Sequence, residues 1–159
     1  MAANINTILD GKDTISGSLG QCYFTLDGNR YNGMQFISVE AKMEKTKKEV
    51  PILGKTGKGN KSTGWKGTGS AKLHYCSPMF RAKALEYIKT GNDFYFDMQV
   101  TNEDPTSDAG RQTVILKHCN IDDMVVTKID ASADTLDEDI NFTFDDIEIP
   151  EAFSMLDGM

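Results

Sequence analysis

The sequence predicts a mainly β fold: an antiparallel β-sandwich or barrel-like domain of about seven to nine strands with one flanking α-helix. Three observations support this prediction. Apolar and polar residues alternate along several short segments, as they do in half-buried strands. A turn signal joins the first two of these segments. One segment shows apolar residues at helical spacing between a capping serine and a glycine.

The first predicted element is a β-hairpin close to the start of the chain. Residues 21–26 and 30–36 flank the sequence Asp27-Gly28-Asn29, which favours a tight turn. Along residues 37–43 the odd positions are apolar and the even positions are polar. We therefore predict a third strand there, with one face buried.

One helix is predicted between Ser77 and Gly91. Ser77 is a suitable N-cap, Pro78 occupies the favoured first position, and Gly91 can end the helix. The apolar residues at helical spacing are expected to form one face that covers a sheet: Phe80, Ala84, Tyr87 and Ile88.

The remaining strands follow the helix. Residues 94–101 show the clearest alternation in the chain, and residues 102–110 form a polar, turn-rich loop. Further strands are predicted at residues 111–119, 122–129 and 140–144, the last of which ends before Pro150.

The composition limits the possible classes of protein. A chain of 159 residues suits a single domain over residues 1–159, and we expect a flexible N-terminus. Three widely spaced cysteines fit the reduced thiols of a cytosolic product. We expect no membrane span and no signal peptide, because no apolar run approaches about 18 residues and the first residues lack the basic and apolar regions of a leader.

The charge is distributed unevenly along the chain. The net charge is -7, yet residues 42–83 carry +9 and residues 102–159 carry -12. Such asymmetry predicts a partner of complementary charge, and that partner can be another copy of the same chain. Solvated surface is the alternative explanation for both blocks.

Residues 45–66 are rich in lysine and glycine. Gly54 and Gly59 have the separation of the P-loop glycines, but Asn60 stands where that motif needs its lysine. The glycines that follow disfavour the helix that should begin there. We therefore predict a flexible basic glycine-rich loop at about residues 45–66 rather than a nucleotide site.

No catalytic, cofactor or metal site is predicted from the sequence. His74 and His118 lie near Cys76 and Cys119, but paired zinc-ligand spacings are missing. The acidic run at residues 134–139 lacks the central glycine and the alternating ligands of a calcium loop. It is therefore interpreted as a solvated acidic loop.

Several segments along the chain share their order and spacing with one known family. They lie at residues 20–23, 51–54, 64–69, 74–75, 87–91 and 142–150, and the most specific is FDMQVTNEDPTS at residues 96–107, followed by GRQT. Together they resemble the tail tube proteins of contractile phage tails and of phage-tail-like particles, in particular the PBSX-like type and the R-type bacteriocins.

The resemblance implies a β-sandwich-like subunit that carries its helix on the outside. Six subunits would form a ring in which strands join into one continuous β-barrel, and stacked rings would form the inner tube. The implied partners are further copies of the chain, a tail sheath protein, baseplate and tail terminator proteins, and DNA that passes through the lumen without specific binding. The implied location is the bacterial cytoplasm during assembly and then the virion or particle.

In this interpretation the basic loop stacks one ring on the next. Its glycines would give freedom before assembly, and its lysines would meet acidic surface on the adjacent ring. The residues assigned to ring stacking are Lys45, Lys47, Lys48, Lys55, Lys58, Lys61, Trp65 and Lys66.

Two other functions stay open at the level of sequence. One is a single-stranded nucleic-acid-binding β-barrel that uses the basic loop, with Trp65 and Tyr75 as stacking platforms. The acidic C-terminal third argues against it. The other is a small enzyme with a split Cys–His site.

Overall fold

The computed structural model describes residues 8–159. Eight strands and one α-helix are assigned among these residues. They are β1 (Gly20–Leu26), β2 (Asn29–Asn32), β3 (Phe36–Val50), β4 (Gly59–His74), α1 (Met79–Thr90), β5 (Phe96–Glu103), β6 (Arg111–Asp123), β7 (Asp137–Phe144) and β8 (Asp146–Glu151). The fold is mainly antiparallel β with one helix, as predicted, and no helix in the described range is long and apolar enough to cross a membrane.

The described chain forms two compact units. The first contains residues 8–34, Phe96–Lys117 and Ile147–Met159, and the second contains Gln35–Tyr95 and His118–Asp146. Strand β6 contributes to both units and has a left-handed residue, His118 with φ 52°, where the second part begins. The single domain over residues 1–159 stays a prediction, and the part of the expected flexible N-terminus before residue 8 lies outside the described residues.

The first unit is built on the predicted hairpin. β1 and β2 pair with Leu26 opposite Asn29, so Asp27 and Gly28 alone form the turn. Both turn residues have positive φ, 53° and 79°, as a type I′ turn requires. β1 also pairs with β5, and the buried apolar side chains of this unit are Phe24, Leu26, Phe96, Met98, Ala109 and Leu116.

The segment FDMQVTNEDPTS ends in a loop that fixes the residues before β1. The buried Asp104 carboxylate accepts hydrogen bonds from the Ser16 backbone N–H at 3.1 Å and from the Thr106 N–H at 3.0 Å. These two backbone donors hold the pKa of Asp104 below its ordinary value, and the Thr106 N–H has the larger effect. The Ser107 hydroxyl donates to the Asp13 carbonyl at 2.8 Å. The segment is therefore a clamp on residues 10–16.

A charge-assisted pair joins β6 to β8 in the first unit. Arg111 donates to both carboxylate oxygens of Glu151, at 2.8 and 2.9 Å, and the Thr113 hydroxyl donates to the same group at 3.1 Å. These bonds, with Arg111 as the largest cause, lower the pKa of Glu151. The pair therefore stabilises the folded state only while Glu151 is ionised.

We expect the effect of Glu151→Gln on thermal stability to depend on pH. Because the folded pKa lies below the unfolded value, the stabilisation is complete above the unfolded pKa and is lost as the pH falls through the folded pKa. The melting temperatures of wild type and variant should therefore differ near neutral pH and converge in acid. Glu148→Gln is the control, because its carboxylate lies 4.0 Å from Lys117. A difference for Glu151→Gln that persists at low pH would contradict the assignment.

The second unit is an antiparallel sheet in the order β6-β7-β4-β3, with β3 at the edge. Its buried apolar side chains are Ala71, Leu73, Phe80, Cys119, Ile140, Phe142 and Phe144. Two glycines of β4 lie opposite two of the phenylalanines: Gly67 pairs with Phe144 and Gly69 with Phe142. Cβ atoms at these glycines would lie 2.4 Å from the rings, so the absence of a side chain allows the rings to lie over β4.

The helix prediction was correct in place and partly wrong in detail. α1 ends at Gly91, which has φ 77° and whose N–H donates to the Tyr87 carbonyl. Its N-cap is Pro78 rather than Ser77, and no side chain caps it. Of the predicted apolar face only Phe80 is buried, whereas Tyr87 and Ile88 are more than half exposed. The two residues lie on the outward side of the last helical turns.

One strand prediction and the loop prediction also differ from the structure. The strand predicted at residues 122–129 was wrong, because β6 continues to Asp123 and no strand is assigned between Met124 and Leu136. The basic glycine-rich loop predicted at about residues 45–66 has a regular backbone over most of its length: it forms the outer part of the β3–β4 hairpin, with its turn at residues 51–58. Cross-strand pairing satisfies the backbone of this segment despite its glycines.

Arg81 and Glu138 form a partly buried ion pair between α1 and β7. The Glu138 side chain is 4% exposed, and Arg81 also donates to the Ser77 carbonyl. We expect Arg81→Met to lower the free energy of unfolding by about 3–5 kcal/mol, because it leaves a buried carboxylate without its cation.

Chemical denaturation would measure this effect. Lys83→Met is the matched control on the same helix, because its pair with Glu86 is a surface i, i+3 contact at 3.7 Å and should cost less than about 1 kcal/mol. Equal losses in the two variants would show that the Arg81 pair has no special role.

Candidate assembly surface

The two-stranded part of the β3–β4 hairpin, residues 44–66, is the most exposed structured region of the second unit, and we call it the distal hairpin. β4 pairs with β7 only as far as Gly67 opposite Phe144. β3 and β4 continue as a pair beyond that point, through a bulge between Thr46 and Lys47, to Val50 opposite Gly59. With about 3.3 Å per residue, its strands run about 20 Å past the sheet.

The structure brings all eight predicted stacking residues onto this hairpin. Lys45, Lys47 and Lys48 lie in β3, Lys55 and Lys58 lie in the turn, and Lys61, Trp65 and Lys66 lie in β4. Every one of them is exposed. All eight residues therefore lie on one hairpin, and their role in stacking stays a prediction.

Positive charge on the distal hairpin is only partly compensated. Seven lysines and two glutamates give residues 44–66 a net charge of +5. Lys66 lies 3.7 Å from Glu44, and Lys58 lies 3.8 Å from Glu49. Lys48 and Lys61 are direct cross-strand partners, and like charges in that position are destabilising. An anionic partner would relieve this repulsion.

Trp65 lies at the base of the distal hairpin rather than at its tip. It faces Lys45 across the strand pair, and its ring is tilted against the buried Phe144 with 6.2 Å between centroids. The side chain remains 46% exposed. Trp65 therefore contacts the core at the base of the hairpin while part of its ring stays exposed to solvent.

The sequence reasoning missed the tip of the hairpin. The Lys55 N–H donates to the Ile52 carbonyl at 3.3 Å and closes a turn in which Gly54 has φ 80°. Leu53, at the corner of this turn, has a fully exposed side chain. The signal that could have identified it is the apolar sequence Pro51-Ile52-Leu53 in the middle of a run of lysines.

The structure does not favour the two alternative functions. Tyr75, a proposed base-stacking platform, has the guanidinium of Arg81 over its ring at 4.4 Å. Of the two cysteines near histidines, Cys119 is fully buried and Cys76 is exposed. Burial raises the pKa of the third thiol, Cys22, to about 12, which opposes thiolate chemistry there. Among residues 8–159 no group of three or more His, Cys, Asp or Glu residues is placed to hold a metal ion.

A mainly antiparallel β fold with a projecting, basic and partly apolar hairpin indicates a structural protein that acts through contacts with other proteins. A family model described as phage tail tube protein matches residues 7–151, and the chain belongs to this family.

Individual relatives agree with this assignment. The chain is 35% identical over 146 residues to the phage-like element PBSX protein XkdM of Bacillus subtilis (strain 168), which covers 92% of this chain and 97% of the relative. The chain is thus a structural protein of the tail tube family, and it is similar to this protein of a phage-like element. This outcome confirms the resemblance identified from the sequence.

Solved structures share the fold at low sequence identity. The tube-terminating cap of the anti-feeding prophage has a TM-score of 0.64 with 14% identity, covering 96% of this chain and all of that chain. A protein from the sheath–tube complex of the extracellular contractile injection system PVC has a TM-score of 0.57 with 10% identity, covering 83% and 88%. The shared fold confirms the predicted class.

Proposed function

We propose that this chain assembles into hexameric rings that stack into the inner tube of a contractile phage tail or phage-tail-like particle, and that the distal hairpin is the stacking arm. The observation that carries the proposal is the exposed, two-stranded hairpin with opposed lysines. A two-stranded ribbon is marginally stable by itself in water. Contact with a neighbouring copy would stabilise the ribbon and neutralise its charge.

Ring formation would use the sheet edges. β3 is a 15-residue edge strand, and such an edge has unpaired backbone donors and acceptors unless another chain covers it. Strands that join across subunits into one continuous β-barrel would remove these edges. A head-to-tail contact that closes gives a ring, and one that repeats along an axis gives a filament.

The same proposal covers the partners and the location. A tube of this kind would meet a sheath protein outside, baseplate and terminator proteins at its ends, and DNA that slides through its lumen without specific binding. Support comes from neighbours of the same fold described as parts of a baseplate, a sheath–tube complex and a terminating cap. The protein would assemble in the bacterial cytoplasm, remain in the particle and have no enzymatic activity.

Negative-stain electron microscopy and sedimentation of the concentrated protein test the proposal. We expect rings or tubes about 10 nm or less across, formed without nucleotide or metal. A protein that stays monomeric at high concentration, even with baseplate components that nucleate tubes, would refute it. Binding to single-stranded DNA at low salt without assembly would support the nucleic-acid-binding alternative instead.

A further inference from the structure

The tip of the distal hairpin is a preformed apolar knob. Ile52 lies against the backbone of Gly59, where an added Cβ would be 2.9 Å from the Ile52 side chain. The turn from Ile52 to Lys55 is closed by a hydrogen bond and uses Gly54 in the left-handed region. This geometry holds the Leu53 side chain in solvent, where an apolar group gains nothing without a partner.

Lysines surround the knob. Lys55 and Lys58 lie in the same turn, and Lys48 and Lys61 lie on the strands just behind it. An apolar centre inside a charged rim is the usual arrangement of an interface anchor. The receptor should therefore be an apolar cleft with carboxylates at its edge.

Charge favours a second copy of this chain as the source of that receptor. The distal hairpin carries +5, whereas the rest of the chain carries -12. Every copy therefore has both a basic projection and an acidic body. Potentials of opposite sign steer association and fix its orientation.

The first unit contains a cleft of matching chemistry, which we call the acidic cleft. It has a volume of about 670 Å³ and is lined by apolar side chains from two segments of the chain. Four of these side chains are more than half exposed: Ile8, Leu9, Met155 and Met159. The volume is ample for a leucine side chain and the turn that holds it.

Carboxylates line the same cleft. Asp10 and Asp157 contribute negative charge there. Asp13 and Asp108 also line it and share Lys12, whose ammonium lies 3.3 and 3.1 Å from their carboxylates. Four aspartates against one lysine leave the lining at -3. The clamp between residues 10–16 and the loop after β5 fixes this side of the cleft before any partner arrives.

We propose that Leu53 of one copy seats in the acidic cleft of a second copy, with the lysines of the distal hairpin at the carboxylate rim. The contact rests on the proposed tube function and assigns both of its surfaces. It also makes Leu53, rather than Trp65, the apolar anchor at the far end of the arm.

Leu53→Ser tests the knob. We expect the critical concentration for tube formation to rise about ten- to hundredfold, the equivalent of one buried leucine, while the melting temperature of the unassembled subunit stays unchanged. The loss should persist at high salt, because it is apolar. Leu85→Ser is the matched control, since Leu85 is an exposed leucine on α1 and should leave assembly unaffected.

A disulfide test identifies the receptor. Cys76 is exposed, so Cys76→Ser provides the background. A chain with Leu53→Cys is mixed with a chain carrying Met155→Cys and oxidised mildly. Because the two new thiols lie on different chains, a bond between them is necessarily intermolecular. We expect it to form in the assembled state, and a Leu85→Cys chain mixed with the Met155→Cys chain should give none.

The results of these experiments distinguish failure of the proposed Leu53 contact from failure of the proposed tube function. Wild-type tubes with normal assembly of Leu53→Ser, or tubes without the Leu53–Met155 cross-link, overturn the contact and leave the tube function standing. A wild-type protein that forms neither rings nor tubes overturns both. Raised critical concentration together with the specific cross-link supports the contact.

Discussion

Replacing Gly69 with alanine is expected to lower the free energy of unfolding by about 1–3 kcal/mol, the usual cost of overpacking a core. The added methyl carbon would lie 2.4 Å from the ring of Phe142. That ring is fully buried, and close-packed neighbours resist its displacement. Thermal or denaturant unfolding of the subunit would measure the loss.

Gly64→Ala is the matched control in the same strand. Nothing lies within 4 Å of a Cβ at Gly64, so the substitution should be neutral or stabilise by about 0.4–1 kcal/mol through the unfolded state. Combining Gly69→Ala with Phe142→Leu should cost less than the sum of the two single changes, because the smaller side chain makes room. Additive losses, or equal effects at Gly64 and Gly69, would contradict the packing explanation.

The sequence predicted the local structure correctly at positions where a single local constraint determines the backbone conformation. The turn at Asp27-Gly28 requires two residues with positive φ, and few sequences other than Asn-Gly and Asp-Gly supply them. The alternation along β5 follows directly from burial of one face, with Phe96 and Met98 in the core. Gly91 ended the helix for the same reason that it was predicted to do so.

The β3–β4 hairpin could not be predicted because the glycines of β4 have two possible meanings. A glycine lowers strand propensity and usually signals flexibility. Gly67 and Gly69 are instead required by the rings of Phe144 and Phe142, which lie more than 70 positions away in the sequence. Only the register between β4 and β7 shows that pairing. A single sequence does not reveal that register.

The helix face shows a second limit. Apolar residues at helical spacing are buried only when something lies against that part of the helix. In α1 the first turn is covered at Phe80, and the later turns leave Tyr87 and Ile88 exposed. Their spacing is correct for a buried face, but the surface that would bury them is not in the described subunit.

The positive charge of the candidate site was predicted from the sequence, but the exposed Leu53 at its tip was not. Lysines outside a regular apolar pattern are reliably on the surface, and all seven are exposed. The apolar sequence at residues 51–53 marks this turn, but the exposure of Leu53 depends on the turn conformation set by Gly54. The acidic cleft joins residues 8–13 to residues 155–159, a pairing that composition alone does not reveal.

Replacing Lys55, Lys58 and Lys61 together with glutamate is expected to shorten the tubes severely or abolish them. The change takes the distal hairpin from +5 to -1 and turns attraction for an acidic neighbour into repulsion. Each exposed lysine–carboxylate pair is worth only about 0–1 kcal/mol, but the loss is repeated at every subunit of every ring. Negative-stain microscopy of tube length and sedimentation of the assembled fraction would measure it.

The fold itself should survive the triple change, because all three side chains are exposed. Within residues 8–159 only Lys58 of the three has an ion pair, at 3.8 Å from Glu49. Circular dichroism and the melting temperature of the subunit should therefore match the wild type.

The corresponding triple glutamine variant should give tubes of intermediate length, and Lys89→Glu on α1 should give normal tubes. High salt should weaken wild-type stacking more than ring closure, since exposed pairs are screened. If the triple glutamate variant forms tubes of normal length, the positive charge of the distal hairpin is solvated surface and stacking rests on other contacts.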